Sequence, residues 1–494
     1  MKIAIVGGGI GGLISALLLS KKGYEVEIFE AKKQLGGRLS FVEKDGFRID
    51  KGPTIVLLPD MLREILDEAG IASNEYELLL CDPMYSLHFT DGTTYTKYPT
   101  VEQQVKEISR VFPGEEEAFK RYMNDMKIRF LIGKKAFLEK SFVTKSSFYT
   151  TSNLRNLVNL KAYQSVTRQV KSYFKHPYLQ ESYRLQTLYI GGNPNTAPAL
   201  YNLIPYSEHE HGIWYVKGGY ASLVSLIHRE LNKRGVSIHL EKHVERLTVQ
   251  DSQATGLIVD GNDYEFDRII LNGDFPLVKK LVPDQLTKKT FEPSSGCYLL
   301  YIGLSKVYEK TPLHQFFMCE DFNTHMKQVF QTKEVPVNPS FYTFYPTVVD
   351  PTTAPAGKSI LYVLIPVPSG QHIDWEQSFI KERILEQLED RGFPELQQHI
   401  EWIETRDPSD AEKDGLYEGG SFGIAPTLMQ SGVFRPQVKP FQLSNVYAVG
   451  ASIHPGGGIP IVMQGAKLAV EMIMEDAPLG RDTVESISES LSSL

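Results

Sequence analysis

The chain opens on short apolar runs separated by glycine. Residues 2–6 are apolar and β-branched, the length of one buried strand. Gly7-Gly8-Gly9-Ile10-Gly11-Gly12 follows, then an apolar stretch over 13–19 that suits a helix. A second strand pattern spans 25–29 and ends on the acidic Glu30. Strand, glycine turn, helix, strand and acid predict a βαβ dinucleotide-binding unit with the fingerprint Gly7-x-Gly9-x-x-Gly12. Gly7 permits the tight turn, Gly9 lets backbone approach a pyrophosphate, and Gly12 lets the helix pack near the sheet. The helix N-terminus then offers N–H groups and partial positive charge to the diphosphate. Glu30, 18 residues after Gly12, is placed to accept hydrogen bonds from ribose hydroxyls.

Further along, 86–98 alternates around Asp91-Gly92 and predicts a hairpin. The pattern over about 100–190 is mainly helical. Strands return over 236–240 and 244–249, then a hairpin around Asp260-Gly261 and a run over 268–271. This middle β region is expected to rejoin the dinucleotide sheet. About 280–420 reads as mixed α/β, with strands over 298–304 and 360–366, and suits a substrate domain. A buried strand over 445–449 leads into the glycine cluster of 450–460 and a helix over 461–475. The fold class is therefore α/β. The expected division is a discontinuous dinucleotide domain (1–75, 230–280, 430–480), a substrate domain (76–100, 190–229, 281–429), a helical segment (101–189) and a flexible tail (481–494), where Ser/Glu-rich sequence has little to bury.

Composition removes several classes. Hydrophobic content of 42% and charged content of 23% are those of a globular protein. The three cysteines, Cys81, Cys297 and Cys319, form no C-x-x-C pair, which predicts neither a disulfide framework nor a metal site and fits a reducing compartment. Five glycines interrupt the first apolar run and no small-residue cleavage site follows, unlike a signal peptide. No apolar stretch reaches the roughly twenty residues of a spanning helix. A cytoplasmic location, peripheral to the inner membrane face, is expected.

Charge is distributed unevenly. Over 120–175, thirteen basic residues face two acids, a net +11, leaving −19 elsewhere. The segment also carries nine aromatics: Tyr122, Phe130, Phe137, Phe142, Phe148, Tyr149, Tyr163, Tyr173 and Phe174. Basic residues mixed with aromatics on amphipathic helices suit an anionic bilayer surface. No nucleic-acid module accompanies them, so nucleic acid is not expected as a partner.

After Glu30 comes Ala31-Lys-Lys-Gln-Leu35-Gly36-Gly37-Arg38. This Gly-Gly-Arg resembles the extended FAD motif of the amine oxidase, phytoene desaturase and Rab-GDI superfamily. The resemblance implies that Gly37 runs near the FAD diphosphate and that Arg38 supplies it with charge. Asp50-Lys51-Gly52-Pro53-Thr54 resembles the same superfamily's segment near the flavin, and Val244 matches a position that touches the adenine. At the other end, Gly450, Gly457, Gly458, Ile459 and Pro460 form a glycine loop opening a helix, whose dipole would stabilise reduced flavin.

With both motifs in place, the chain is similar over nearly its full length to bacterial carotenoid desaturases of the phytoene desaturase type, and among them to the 4,4′-diapophytoene (dehydrosqualene) branch. The segments that carry this are 45–54, 188–192, 212–219, 419–427 and 450–467. The resemblance implies a Rossmann-like FAD domain, a substrate domain and a membrane-contacting helical insertion. It also implies FAD-dependent desaturation of a linear C30 isoprenoid by hydride transfer, with quinone or oxygen as electron acceptor. Terminal-methyl oxygenases share most of these segments and form the alternative. An amine-oxidase-type flavoenzyme and a prenyl-binding chaperone are further readings, the latter opposed by the intact Glu30 and glycine motifs. No catalytic base stands out. His454 is a positional candidate beside the glycine loop, and Ser207-Glu208-His209-Glu210-His211 is a titratable cluster that could accept a proton or bind metal but reads first as a solvated loop.

Overall fold

The computed structural model describes residues 1–142, 145–283 and 289–476; the tail assigned to 481–494 lies outside the described residues. Five parallel strands carry the glycine turn, in the order Val446–Val449, Arg268–Asn272, Lys2–Val6, Glu25–Phe29, Ser237–His239. Lys2–Val6 is the central strand, with Val6 opposite Phe29 on one side and Leu271 on the other. Parallel neighbours require a crossover, and the helix Ile10–Lys21 supplies it. That helix is buried all round from Ile10 to Leu19. The sheet lies on one side of it, and the helices Ser222–Lys233 and Ile459–Asp476 pack on the other.

The middle β region only partly joins this sheet. Ser237–His239 and Arg268–Asn272 enter it, whereas Val244–Gln250, Gln253–Val259 and Asn262–Glu265 form a separate antiparallel sheet. Tight turns at Ser252 and Gly261 return each strand antiparallel to the one before it, and the three pair with one another. They cover the sheet's other face, setting Leu247 and Leu257 against Ala4, Val6 and Phe29. The helix Ser222–Lys233, expected partly with the substrate domain, packs through Leu223, Ile227 and Leu231 into the core under the parallel sheet.

A second sheet of seven strands lies beyond the dinucleotide layers. Its centre, Gly296–Leu304 against Ser359–Val367, shows the strand period of two. Tyr298, Leu300, Ile302 and Leu304 face the helix Ile380–Arg391, while Cys297, Leu299 and Tyr301 face the interior and the helical region. Truncating such a side chain, Leu300→Ala for example, should cost about 2–5 kcal/mol. The Asp91-Gly92 hairpin, Tyr85–His88 with Thr94–Lys97, forms one edge of this sheet.

In the helical region, Tyr122, Phe137, Phe142, Phe148 and Phe174 are buried, and Phe130 and Tyr173 half-buried. Of the nine aromatics only Tyr149 and Tyr163 are exposed. The aromatic component therefore builds core, contrary to the expectation that it lies on the surface. The outward apolar positions are mainly aliphatic: Ile128, Leu131, Leu154 and Val158. No helix among the described residues is long and apolar enough to cross a membrane.

Candidate functional site

A single cavity of about 960 Å³ runs between the parallel sheet and the seven-stranded sheet. Gly7, Gly9, Glu30, Gly37, Arg38, Pro53, Thr54, Val244, Gly450, His454, Gly457, Gly458, Ile459 and Pro460 all line it, although they come from five stretches of chain. Gly12 does not line it. A Cβ there would overlap the Gly7 carbonyl and crowd Ile5 and Asn272, so its role is close helix–sheet packing. Gly7, at φ +102°, turns beneath the Asn272 carbonyl with no room for a side chain.

The nucleotide end of the cavity is organised by groups that leave valences free. Glu30 accepts N–H bonds from Gly8 (2.7 Å) and Lys32 (2.8 Å), so its buried carboxylate is oriented beside the turn with lone pairs to spare. The helix Ile10–Lys21 starts at Gly9 with no side-chain cap and no acid in its first turn, leaving its donors for an anion. Phe29 stacks on His239 at 4.7 Å between ring centroids, next to Val244. Arg38 donates to the Ser421 carbonyl at 3.0 Å.

At the opposite wall, Gly457 and Gly458 border open space: a Cβ on Gly457 would meet nothing nearer than 3.5 Å, and one on Gly458 only Ile461 at 3.8 Å. The protein's own packing does not demand glycine at 457, and the free volume it leaves belongs to the cavity. His454 is buried, and its Nε2 lies 2.9 Å from the carbonyls of Phe137 and Lys140. Burial pushes its pKa down to about 4. It ties the glycine loop to the helical region and is a poor proton acceptor at neutral pH.

Three features escaped the sequence reading. Asn272 pins the glycine turn from the neighbouring strand; a polar residue closing an apolar strand just before Gly273-Asp274 was the available signal. Asp414 joins Lys32 (2.5 Å), Lys51 (3.2 Å) and Arg406 (2.5 Å) at the cavity rim. Third, residues 207–211 are no solvated loop: they lie in the helix Leu203–His211, with Ser207, Glu208 and His209 buried. Lys97 compensates the Glu208 charge from the hairpin across the core, a pairing of sequence-distant residues that local polarity cannot reveal.

Beyond the glycine loop the lining becomes apolar and aromatic, with Leu188, Leu203, Leu299, Phe316, Tyr342 and Tyr362. Thr54 and Tyr342 hydrogen-bond at 2.8 Å, and Tyr342 reaches His314 Nδ1 at 2.7 Å. Leu428 and Phe434 line the cavity and are also exposed, which marks a route to the surface.

Comparison with known proteins agrees with this geometry. Residues 10–474 match the flavin containing amine oxidoreductase family. A 4,4′-diapolycopen-4-al dehydrogenase of Metabacillus indicus is 57% identical over 478 residues, covering 96% of this chain and 97% of the relative. A 4,4′-diapophytoene desaturase (4,4′-diaponeurosporene-forming) of Staphylococcus haemolyticus is 31% identical over 502 residues, covering 97% and 100%. Among solved structures, an oxidoreductase from Methanosarcina mazei superposes with a TM-score of 0.64 at 17% identity, covering 96% of this chain and 100% of the other. Putrescine oxidase bound to putrescine superposes with a TM-score of 0.64 at 15% identity, covering 96% and 99%. The chain belongs to the flavin containing amine oxidoreductase family, within its diapophytoene-desaturase-like branch. It is a FAD-dependent oxidoreductase. The uncapped helix, the oriented Glu30 and the open glycine wall fit that cofactor.

Proposed function

We propose that the protein dehydrogenates a linear C30 carotenoid, with Gly7, Gly9, Glu30, Gly37, Arg38 and Val244 holding the adenosine and diphosphate of FAD and Pro53, Thr54 and 457–460 bordering the flavin. Bound FAD supplies two-electron hydride acceptance. The chain's own residues bind and orient. The apolar wall of Leu299, Phe316, Tyr342 and Tyr362 holds a polyene without polar competition and excludes water from it. An allylic C–H loses hydride while the neighbouring carbon loses a proton, which adds one double bond. The observation that carries this reading is the continuity of the nucleotide cradle with a long apolar cavity.

A second reading, oxidation at the chain terminus, is supported by the 57% identity to an enzyme named for an aldehyde substrate. There, water adds to a terminal aldehyde, and the hydrate loses hydride and a proton to give the carboxylic acid. Quinone or oxygen would reoxidise the flavin in either case.

The cavity mouth supports substrate uptake from a bilayer. Exposed Leu131, Val158, Leu428 and Met429 lie on the elements around it, the first two in the segment with the net +11 charge. The protein would lie on the cytoplasmic membrane face, docked through the 101–189 helices.

The deciding experiment supplies the lipid-reconstituted holoprotein with a colourless C30 precursor or with a C30 polyene aldehyde. Flavin bleaching, polyene absorption and product mass are followed. Growth of the chromophore with loss of two hydrogens establishes desaturation. Gain of one oxygen on the aldehyde alone replaces it with terminal oxidation, and no flavin reduction with either sinks both.

A further inference from the structure

The register of the seven-stranded sheet lays out the floor of the apolar chamber. Leu299, Leu364, Tyr342 and Phe316 stand opposite one another across four neighbouring strands, Gly296–Leu304, Ser359–Val367, Phe341–Phe344 and His314–Phe317. Cys297 opposite Pro366 starts the next row on the same face, about 7 Å further along the strands. Ser340 and Met318 continue that row just past the Phe317–Phe341 pair. Both rows line the cavity in full.

This floor leads away from the residue assigned to the flavin edge and comes to a blind end. Thr54 bonds Tyr342, the Tyr342 ring packs on Phe316 at 5.0 Å, and Met318 follows on the same strand face. Exposure falls along that path, from 9% at Phe316 to 1% at Met318 and 1% at Phe322. Phe322 lines the cavity and packs in one apolar cluster with Phe316, Met318 and Tyr342. At the other end the cavity reaches the exposed Leu428 and Phe434. The chamber is therefore open at its mouth and closed at Phe322.

The closed end is held from two sides. Phe322 begins the short helix Phe322–Lys327, and His325 fastens that helix to the floor. The Ser340 N–H donates to His325 Nδ1, and His325 Nε2 donates to the Pro366 carbonyl, both at 3.2 Å. Behind the ring lies Arg184, its guanidinium 4.9 Å from the ring centroid. Arg184 donates to Asn323 Oδ1 at 3.0 Å and pairs with Glu181 at 3.6 Å, and none of these three lines the cavity. A hydrocarbon pushing past Phe322 would have to displace a bonded helix and would meet a buried ion pair that it cannot compensate.

We propose that Phe322 is the stop against which the leading end of the polyene comes to rest, and that it thereby selects C30 over C40 chains. The inference rests on the reading of the cavity as a polyene tunnel and specifies the length of its substrate. Hydride leaves an allylic carbon beside the conjugated centre of the chain. For that carbon to reach the flavin, everything between it and the leading end must fit between the flavin and Phe322. A C40 chain of the same kind carries one more prenyl unit on each side of its centre, so the stop holds its reactive carbon short of the flavin. Surplus at the trailing end is no obstacle, because the mouth is open. Phe322 is a specificity residue in this scheme and touches no reacting atom.

The test gives lipid-reconstituted holoprotein the colourless C30 and C40 precursors, which share the same conjugated centre. The ratio of their desaturation rates within one preparation is read from flavin reduction and polyene absorption. A merely structural loss lowers both rates together and leaves that ratio alone. Wild type should favour C30. Phe322→Ala, and more mildly Phe322→Leu, should shift the ratio toward C40 by about tenfold or more, with flavin absorbance and melting temperature reporting the fold. Phe322→Trp, a bulkier stop, should slow even the C30 precursor, while a C30 intermediate whose remaining reactive carbon lies nearer its end keeps its rate. A ratio unmoved in the folded variants, or a wild type that takes both chains equally, overturns the inference and spares the tunnel. If wild type reduces its flavin with neither chain, the desaturation reading falls first and the inference with it.

Discussion

The Asn272 side-chain amide donates to the carbonyls of both Gly7, at 2.8 Å, and Gly9, at 3.1 Å. One residue at the end of Arg268–Asn272 thereby fixes the two glycines that border the nucleotide end of the cavity. The turn cannot hold this shape through side chains of its own, since it has almost none.

Replacing that amide should show in cofactor retention before activity. Asn272→Ala removes two hydrogen bonds of about 1 kcal/mol each. We expect FAD affinity to fall about tenfold or more, measured by the flavin fluorescence that appears on release. Undiminished affinity would mean the turn holds itself.

Glu30 tests the ribose assignment from the other side. Its carboxylate also accepts the Gly8 and Lys32 amides, so Glu30→Ala loses a ribose acceptor and a local brace together. Glu30→Gln keeps an acceptor oxygen and should retain more FAD than Glu30→Ala. Equal retention in wild type and both variants would remove Glu30 from the site.

Asp414 provides a pH signature. Burial raises a carboxyl pKa, but the hydrogen bond from Lys32 and the charges of Arg406 and Lys51 outweigh it and hold Asp414 well below its usual range. The folded protein then binds fewer protons here than the unfolded chain. The stabilisation is complete above the unfolded value near ~4 and is lost as pH falls through the folded one. The melting-temperature gap between wild type and Asp414→Asn, open at neutral pH, should narrow below about pH 4. A constant gap would show that the clasp adds no charge-dependent stability.

Local patterns carried much of the fold. The βαβ start, the Asp91-Gly92 and Asp260-Gly261 hairpins and the long strands near 300 and 360 are written in short-range periodicity, and all appear. What sequence did not reveal depends on distant partners. Glu208 looks like surface until Lys97, more than a hundred residues away, is brought beside it. The aromatics of 120–175 look like a membrane face until the helices close over Phe137, Phe142 and Phe148 as a small core. Alternation marks 244–265 as strand but cannot say which sheet receives it.

Membrane docking should follow the aliphatic residues that do face outward. Leu131 and Val158, each 62% exposed, lie on the packed helices Glu116–Gly133 and Thr151–Asn159. Leu131→Glu/Val158→Glu should abolish sedimentation with anionic vesicles while flavin content stays constant. Salt alone should weaken wild-type binding only in part, because it screens charges beyond about 10 Å at 0.1 M but not apolar insertion. Full vesicle binding by the double variant would place docking elsewhere.

The glycine wall allows a separation of fold from function. Gly458 has φ +98°, so Gly458→Val strains the backbone and confounds a cofactor effect with a folding one. Gly457 has no such constraint, and a Cβ there would meet only the Phe422 carbonyl at 3.5 Å and Ala451 at 3.7 Å and 4.0 Å, ordinary contacts. Gly457→Val should therefore keep the melting temperature of the FAD-free protein while placing two methyl groups in the space assigned to the flavin. We expect weaker flavin binding or a shifted flavin absorption band, together with lost turnover. Gly457→Ala should show the same effects in milder form. A Gly457→Val protein with native flavin spectrum, native affinity and native turnover would show that the flavin lies away from this wall, and the assignment of 457–460 would have to be abandoned.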